Sequence, residues 1–260
     1  MERMIQTASD INSIRQTLAS RNLLGSLSLE TNDWLCIDAF PRSANTYATY
    51  LSAYLLFLEN SSFDHVDTFS YLQAMHGDVC QNIIAPRLIH HQHDYSLVAS
   101  LVQYGVPSIS IIRNPDDSFA SLLRYYGIGK DLEIAIYTAN QYHLWIELFA
   151  DLRSSAFFRL ISFEEAIANP FTLYSTLGNL GHSKCTLSRE KVELISSGVT
   201  QVIREVDKIQ HGELYQSRCA APIDRTNDPS MHYGNHISGA YLDKCRALYN
   251  ECIALYSLNR

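Results

Sequence analysis

Charged residues are scarce in this sequence, and basic residues are fewer than acidic ones. Charged side chains make up 18% of the 260 residues, against about 25% in an average domain. The formal net charge is −7, from 20 basic and 27 acidic residues. Because nucleic-acid-binding proteins usually present a basic face, we expect no nucleic-acid partner. An anionic ligand must then be bound by local charges.

The sequence also lacks paired cysteines. Its cysteines are Cys36, Cys80, Cys185, Cys219, Cys245 and Cys252. None of them stands in the C-x-x-C pattern typical of zinc and redox sites. We therefore expect reduced structural thiols, as in a cytoplasmic protein, and no metal site.

Long apolar runs are absent as well. No window approaches the roughly 20 apolar residues that a membrane span requires. The segment from Met1 to Gln6 has no apolar core of a secretory signal. These absences predict a soluble protein located in the cytoplasm, with no membrane partner.

Aromatic residues are abundant. The 16 tyrosines and 10 phenylalanines supply large apolar surfaces for packing, and the chain is near the upper size for one hydrophobic core. We expect one domain over residues 1–260, with a core at about 30–185 and a C-terminal helical part at 186–260. Within that part, the polar, turn-rich segment Ser217–Gly239 predicts a lid loop.

Short apolar runs alternate with segments of helical periodicity. The runs are Trp34–Phe40, Arg87–His91, Pro107–Arg113 and Phe157–Phe163. The helical segments are Ile11–Leu23, Thr46–Glu59, Tyr95–Tyr104, Pro115–Tyr126, Leu132–Leu152, Pro170–Leu180, Arg189–Ile209 and Tyr241–Leu258. This alternation predicts an α/β protein whose central parallel sheet is covered by helices on both faces. Ligands bind at the carboxyl ends of such strands, so Arg42, His91 to His93 and Arg113 are expected to meet there.

One strand runs through a short turn directly into a helix, from Asp33 to Tyr47. The first N–H groups of a helix lack intrahelical partners and carry the positive end of the helix dipole, which favours a phosphate or sulfate. Arg42 adds a fixed positive charge. The chain has no G-x-x-x-x-G-K-[ST] sequence, and its only Gly-Lys pair, Gly129-Lys130, precedes an aspartate. A magnesium-dependent kinase or nucleotide hydrolase is therefore disfavoured.

The turn itself reads Phe40-Pro41-Arg42-Ser43-Ala44-Asn45-Thr46-Tyr47. It resembles the 5′-phosphosulfate loop of sulfotransferases that use 3′-phosphoadenosine-5′-phosphosulfate (PAPS), whose usual form is [YF]-P-[KR]-S-G-T-[TS]-[WY]. Ala44 replaces the loop glycine and Asn45 replaces a threonine, whereas Tyr47 is a conservative match. Taken alone, the segment is also compatible with an ordinary strand-to-helix turn that carries an exposed arginine.

A second segment, Arg113 to Ser121, is similar to the 3′-phosphate motif of the same family, R-[DN]-P-x-[DE]-x-x-x-S. Arg113 ends a strand, Asn114-Pro115 starts a helix, and Ser121 follows at the family spacing. Arginine pairs bidentately with phosphate oxygens and needs no metal. The alternative is a helix cap beside a surface arginine, but the two motifs occur in the family's order.

A third segment, Phe158 to Glu165, is followed by Asn169-Pro170 and a helix that ends at Gly181. It is similar to a segment of the family whose role there is mainly structural. We expect Glu164 and Glu165 to lie at a helix start rather than to act in catalysis.

In the family, a histidine after the second strand removes the proton of the acceptor. This sequence departs from the family's K-[TS]-H signature, because a gapless match puts Gln92 at the histidine position. A shift by one residue puts His91 and His93 on one strand face, and we favour His93 as the base with His91 as a neighbouring polar contact. His91 as the base, or a structural role for both, stays open. Histidine suits the task because its unperturbed pKa is about 6.5.

The segment Asp224–Ser238 takes the place of the family's R-K-G-x-x-G-D-W loop, which closes over the nucleotide. Its lysine and tryptophan are missing, and Arg225 is the residue expected to contact the 3′-phosphate.

The resemblance implies a P-loop NTPase-like, three-layer α/β/α fold. It also implies a sulfotransferase that moves the sulfuryl group from PAPS, without a metal, to a hydroxyl or amine of a small-molecule or carbohydrate acceptor. The residues that it assigns to nucleotide binding are Arg42, Ser43, Ala44, Asn45, Thr46, Tyr47, Arg113, Ser121 and Arg225, and those that it assigns to catalysis are His93, His91 and Arg42. The alternatives are a non-catalytic nucleotide-binding protein on the same fold and a P-loop kinase. No motif identifies the acceptor or an oligomeric state.

Overall fold

The computed structural model describes residues 34–60, 87–90, 93–127, 132–201, 203 and 236–257. Several predicted features lie outside these ranges. They are the helix Ile11–Leu23, His91, Arg225 and nearly all of the Ser217–Gly239 loop.

The described strands form a parallel sheet. They are β1 (Trp34–Ile37), β2 (Arg87–His90), β3 (Ser108–Ile112) and β4 (Phe158–Ser162), in the order β2-β1-β3-β4. Each strand lies within one of the predicted apolar runs, so the parallel sheet is confirmed. Because β1 pairs with both β2 and β3, the segments that follow these three strands lie side by side at the carboxyl edge.

Helices connect these strands and follow the last one. The described helices are α1 (Asn45–Asn60), α2 (Tyr95–Gln103), α3 (Pro115–Gly127), α4 (Leu132–Ala139), α5 (Tyr142–Leu152), α6 (Phe163–Ala168), α7 (Pro170–Asn179), α8 (189–201) and α9 (Gly239–Ser257). None of these helices has both the length and the apolar character that crossing a membrane requires.

Several element bounds differ from the sequence prediction: β1 ends at Ile37 instead of Phe40, and β2 ends at His90 instead of His91. Two further differences concern the helices. The predicted helix Leu132–Leu152 is divided into α4 and α5 by a turn in which the N–H of Gln141 donates to the carbonyl of Thr138 at 3.0 Å. The apolar pattern did not reveal this break, because Ala139 and Tyr142 are buried on both sides of it. Phe163 begins α6 instead of ending the fourth strand, and the Ser162 hydroxyl caps that helix.

Alternate residues of the strands pack on opposite faces of the sheet. Trp34 and Cys36 of β1 belong to a core cluster that includes residues of α2, α3, α4, α5 and α9. Leu35 and Ile37 belong to a second cluster, which includes residues of α1, α6, α7 and α8. Leu35 and Ile37 are fully buried, and each such side chain stabilises the fold by about 1.5–3 kcal/mol. Helices on both faces make the three-layer α/β/α arrangement that was predicted.

Candidate functional site

The turn between β1 and α1 is held by an aromatic anchor at its start. The ring of Phe40 is buried and packs edge-on against Tyr142, with centroids 4.9 Å apart, and against Phe119 at 6.3 Å. The N–H of Ser43 donates to the carbonyl of Phe40 at 3.3 Å. The turn is therefore fixed to the core although it lies at the edge of the sheet.

Two residues of this turn have a left-handed backbone. The φ angle is 68° at Arg42 and 66° at Ala44, a region in which an L-residue costs roughly 1–2 kcal/mol and glycine costs little. Strained backbone of this kind clusters at functional sites. The loop that this segment resembles has glycine at the position of Ala44. The left-handed backbone at Ala44 gives a physical reason for that glycine.

The turn leads into a helix N-terminus that carries no acidic side chain. Helix α1 begins at Asn45 and has no Asp or Glu in its first turn. The N–H of Ala48 donates to the carbonyl of Ala44 at 3.0 Å, so the N–H groups of residues 45 to 47 precede the first helical hydrogen bond. Such groups favour an anion.

The two motifs found in the sequence meet through the side chains of two arginines. The Nε of Arg42 donates to the hydroxyl of Ser121 at 3.3 Å, and Nη1 of Arg113 donates to the carbonyl of Arg42 at 2.8 Å. The guanidinium of Arg42 also lies over the Tyr125 ring, 4.7 Å from its centroid. The structure thus brings Arg42, Arg113 and Ser121 into one group.

This group concentrates positive charge in a partly buried place. The Arg113 guanidinium lies over the Phe163 ring at 4.2 Å. Burial lowers the pKa of Arg113 below its ordinary value, Asp117 opposes this shift, and the charge of Arg42 adds to it. A bound anion would relieve both the loss of water around Arg113 and the repulsion between the two cations.

Several buried polar atoms of the same region lack a hydrogen-bond partner among the described residues. They include the Oγ of Ser43, the Nε of Arg113, the Oδ2 of Asp38 and the Oδ1 of Asn45. Because buried polar groups are normally satisfied, the oxygens of a bound phosphate or sulfate would complete the hydrogen bonding of Ser43 and Arg113. In the described part of the chain, no group of three or more His, Cys, Asp or Glu side chains is placed to hold a metal ion.

The start of α3 is fixed by its own contacts. The Oδ1 of Asn114 accepts a hydrogen bond from the N–H of Asp116 at 2.9 Å, and the Asp116 carboxylate pairs with Arg246 of α9 at 2.5 Å. The hydroxyl of Tyr142 donates to the carbonyl of Arg113 at 2.5 Å. The backbone that presents Arg113 is therefore anchored to two neighbouring helices.

His93 lies at the same rim, between β2 and α2. It is not on a strand face, as the sequence analysis expected for His91 and His93, because β2 ends at His90. Its Nδ1 is 2.9 Å from the carbonyl oxygen of Ala39 and 3.7 Å from Oδ1 of Asp38. A carbonyl accepts and does not donate, so Nδ1 carries the hydrogen and Nε2 is the acceptor of the neutral ring. The side chain is 34% exposed, and the backbone is left-handed, with φ at 51°. The imidazole is therefore held in one orientation and is partly exposed at the rim.

Asp38 was assigned no role from the sequence, yet its carboxylate lies beside the ring of His93. The Asp38 residue is 1% exposed and its Oδ1 accepts hydrogen bonds from Nδ2 of Asn45 at 2.7 Å and from the N–H of Ala39 at 3.1 Å. Burial raises the pKa of Asp38 above its ordinary value, and the charge of His93 and the hydrogen bonds oppose this shift without cancelling it. The available signal was an acidic residue at the end of an apolar strand, where a charge needs dedicated partners.

The remaining residues of the first motif face different neighbours. Tyr47 is buried, and its hydroxyl shares a hydrogen bond with Oγ of Ser196 on α8 at 2.7 Å. Its hydroxyl thus joins α1 to α8. Asn45 directs its amide to Asp38, and Thr46 is half-buried in the first turn of α1.

Comparisons with known proteins establish the fold. No protein-family model matches this sequence, and no curated protein is detectably similar to it. Among solved structures, the chain is similar to the crystal structure of mouse sulfotransferase SULT7A1 complexed with PAP, with 15% sequence identity and a TM-score of 0.53. The similarity covers 92% of this chain and 95% of the mouse chain. The chain therefore has the α/β fold of a sulfotransferase, as the sequence motifs implied.

Proposed function

We propose that this protein is a sulfotransferase that moves the sulfuryl group from PAPS to a hydroxyl or amine of a small-molecule or carbohydrate acceptor. The observation that carries the proposal is the hydrogen bond of Arg42 to Ser121 at 3.3 Å, because it joins the two segments that resemble the phosphosulfate loop and the 3′-phosphate motif. The fold shared with a sulfotransferase that was solved with PAP supports it.

In this proposal, the nucleotide is held at two ends by different parts of the chain. Ser43, Arg42 and the first N–H groups of α1 bind the phosphosulfate end, and Arg113 with Ser121 binds the 3′-phosphate. The unsatisfied Oγ of Ser43 and Nε of Arg113 fit these two ligands. PAPS supplies an activated sulfuryl group through its phosphosulfate bond.

His93 is the proposed general base. Its Nε2 takes the proton of the acceptor hydroxyl while the new oxygen–sulfur bond forms and the bond between sulfur and the 5′-phosphate oxygen breaks. Arg42 stabilises the charge that develops on the leaving phosphate but cannot protonate it, because arginine is not deprotonated in proteins. Catalysis then consists of positioning, electrostatic stabilisation and one proton transfer.

Titration of PAP by calorimetry tests the nucleotide site. We expect Arg113→Ala to lower PAP affinity about 10- to 100-fold, because a hydrogen bond to a charged group contributes about 1.5–3 kcal/mol. Arg189→Ala is the matched control, since that arginine lies over Phe171, at 5.0 Å from the ring centroid, and donates to Asn169. Equal affinity for ATP, or no binding of PAP by the unmodified protein, would contradict the proposal.

Transfer of labelled sulfuryl from PAPS across a panel of alcohols, sugars and amines tests the reaction. A sulfated product that depends on PAPS supports the sulfotransferase assignment. Binding of PAP without any product across the panel would favour the non-catalytic nucleotide-binding alternative. Magnesium-dependent consumption of ATP would favour the kinase alternative.

A further inference from the structure

We propose that Asp38 is a positioning residue, which holds the ring of His93 with its hydrogen on Nδ1 so that Nε2 is the proton acceptor. The kinetic consequence rests on the proposed function, in which His93 is the base. The orientation of the ring does not depend on it. Asp38 lies outside both motifs that resemble the sulfotransferase family.

The first support is the cost of burying Asp38 at this place. A buried carboxylate is unfavourable unless charges or hydrogen-bond donors surround it. Asp38 is 1% exposed, and its Oδ1 accepts hydrogen bonds from the amide of Asn45 and the N–H of Ala39. Burial raises the pKa of Asp38, and the charge of His93 and the donors on the carboxylate oppose this shift. The Oδ1 that these donors contact lies 3.7 Å from Nδ1 of His93.

The second support is the pair of acceptors that face the same nitrogen. Nδ1 of His93 lies 2.9 Å from the Ala39 carbonyl oxygen and 3.7 Å from Oδ1 of Asp38. Both neighbours repel a lone pair at Nδ1, so the hydrogen stays on that nitrogen and the lone pair stays on Nε2. Once Nε2 accepts a proton, the carboxylate stabilises the resulting cation.

The other described titratable groups around this pair have separate roles. Burial raises the pKa of the Cys36 thiol on β1, and the charge of Asp38 raises it further, so this thiol stays protonated. The Asp94 carboxylate accepts hydrogen bonds from the N–H groups of Ser96 and Leu97 and caps α2. Asp94 thus holds the backbone next to His93, and Oδ1 of Asp38 lies 3.7 Å from Nδ1 of its ring.

Asn45 connects the base to the anion-binding turn. It occupies the position of a threonine in the loop that this segment resembles, and its Nδ2 donates to Asp38 at 2.7 Å. Asn45 is also the first residue of α1. One side chain therefore joins the helix N-terminus, where the phosphosulfate is proposed to bind, to the carboxylate that orients the base.

Nitrogen NMR of the histidine-labelled protein tests the orientation without any acceptor or nucleotide. The His93 signals are assigned by their loss in His93→Asn. At a pH where the ring is neutral, we expect the tautomer with hydrogen on Nδ1. In Asp38→Asn we expect the share of the opposite tautomer to rise. Hydrogen on Nε2 in the unmodified protein, or an unchanged tautomer share in Asp38→Asn, overturns the inference.

Kinetics of Asp38→Asn test the consequence for the reaction. We expect PAP affinity to stay within about twofold and kcat to fall about 10-fold or more, because the base remains in place but loses a stabilising charge. Glu147→Gln is the control, because that carboxylate pairs with Lys244 in an exposed ion pair.

The outcomes separate a positioning role from a structural one. A lower melting temperature together with weaker PAP binding, and an unchanged tautomer share of His93, would mean that Asp38 only supports the fold and would overturn the inference. If the unmodified protein binds PAP but transfers no sulfuryl group, the proposed function fails, and the tautomer measurement alone decides the role of Asp38.

Discussion

The Nε of Arg42 donates to the hydroxyl of Ser121 at 3.3 Å, across 79 positions of the sequence. The carbonyl of the same Arg42 accepts a hydrogen bond from Arg113 at 2.8 Å. Arg42 is thus held by both ends of the second motif, through its side chain and through its backbone. A change at any of the three residues is therefore expected to affect the other two.

This coupling is measurable with a double-mutant cycle on PAP affinity. Ser121→Ala is expected to weaken binding about 10-fold and Arg42→Asn about 100-fold, because each removes a hydrogen bond or charge at the anion. Asn is chosen at position 42 because it tolerates the left-handed backbone. Residues in contact couple by about 0.5–3 kcal/mol, so the double variant should lose less than the product of the single effects. Fully additive losses would show that the two side chains act independently.

His93→Asn separates proton transfer from nucleotide binding. Asn tolerates the left-handed φ of 51°, and its amide can donate to the Ala39 carbonyl as the imidazole does. We expect PAP affinity within about twofold of the unmodified protein and a loss of kcat of roughly 10²–10⁴-fold. Both are read from calorimetry and single-turnover transfer of labelled sulfuryl. Turnover at the original rate would move the base role to His91 or to another group.

Ala44→Gly is expected to stabilise the protein. The left-handed backbone at φ 66° costs alanine roughly 1–2 kcal/mol, whereas glycine adds about 0.4–1 kcal/mol of conformational entropy to the unfolded chain. The difference predicts a gain of about 0.5–1 kcal/mol in the free energy of unfolding, measured by urea denaturation. Ala48→Gly, in the body of α1, is the control and should destabilise by about 1 kcal/mol. A loss of stability in Ala44→Gly would mean that the alanine methyl contributes packing that outweighs the strain.

Glu59 should make the protein sensitive to acid. Burial raises the pKa of its carboxyl, but hydrogen bonds from the Tyr174 hydroxyl and from the N–H groups of Thr186 and Lys184 outweigh this effect and lower the pKa from its ordinary 4.5. Because this pKa is lower in the folded state than in the unfolded state, the Glu59 carboxylate stabilises the fold at pH values above the unfolded-state pKa. This contribution is lost as the pH falls through the folded-state pKa.

The expected result is a free energy of unfolding that decreases below about pH 4.5, with a smaller decrease in Glu59→Gln. Urea titrations between about pH 3 and 6 measure it. Glu251→Gln, an exposed position on α9, should leave the slope as it is. An identical pH slope in Glu59→Gln and in the unmodified protein would show that other carboxylates cause the acid sensitivity.

The core of the fold was predictable because it depends on local patterns. The apolar runs around Trp34–Ile37 and Ser108–Ile112 became strands, and helical periodicity between them implied parallel pairing. The break between α4 and α5 was not predictable. Ala139 and Tyr142, which are buried on either side of Asn140 and Gln141, keep the three-residue spacing of a helix across the turn. Periodicity reports which face is buried, and it does not report where the backbone turns.

The histidine segment shows what a local sequence pattern does not determine, namely which neighbours a side chain contacts. From the sequence, His93 was favoured as the base, and His91 stayed open as the alternative. The register of β1 against β2, which pairs Ile37 with His90, sets the segments after both strands side by side. That pairing brings Nδ1 of His93 to 2.9 Å from the Ala39 carbonyl oxygen and to 3.7 Å from Oδ1 of Asp38.

The sequence by itself determined the sheet, the helices and the chemical groups at its carboxyl edge, because short-range hydrogen bonding and apolar periodicity act over a few residues. Only the tertiary structure decided that Arg42 meets Ser121 and that Asp38, held by Asn45, faces His93. Those contacts join residues on different elements. They depend on strand register and on the packing of α1 and α3 against the sheet, and no local pattern encodes either.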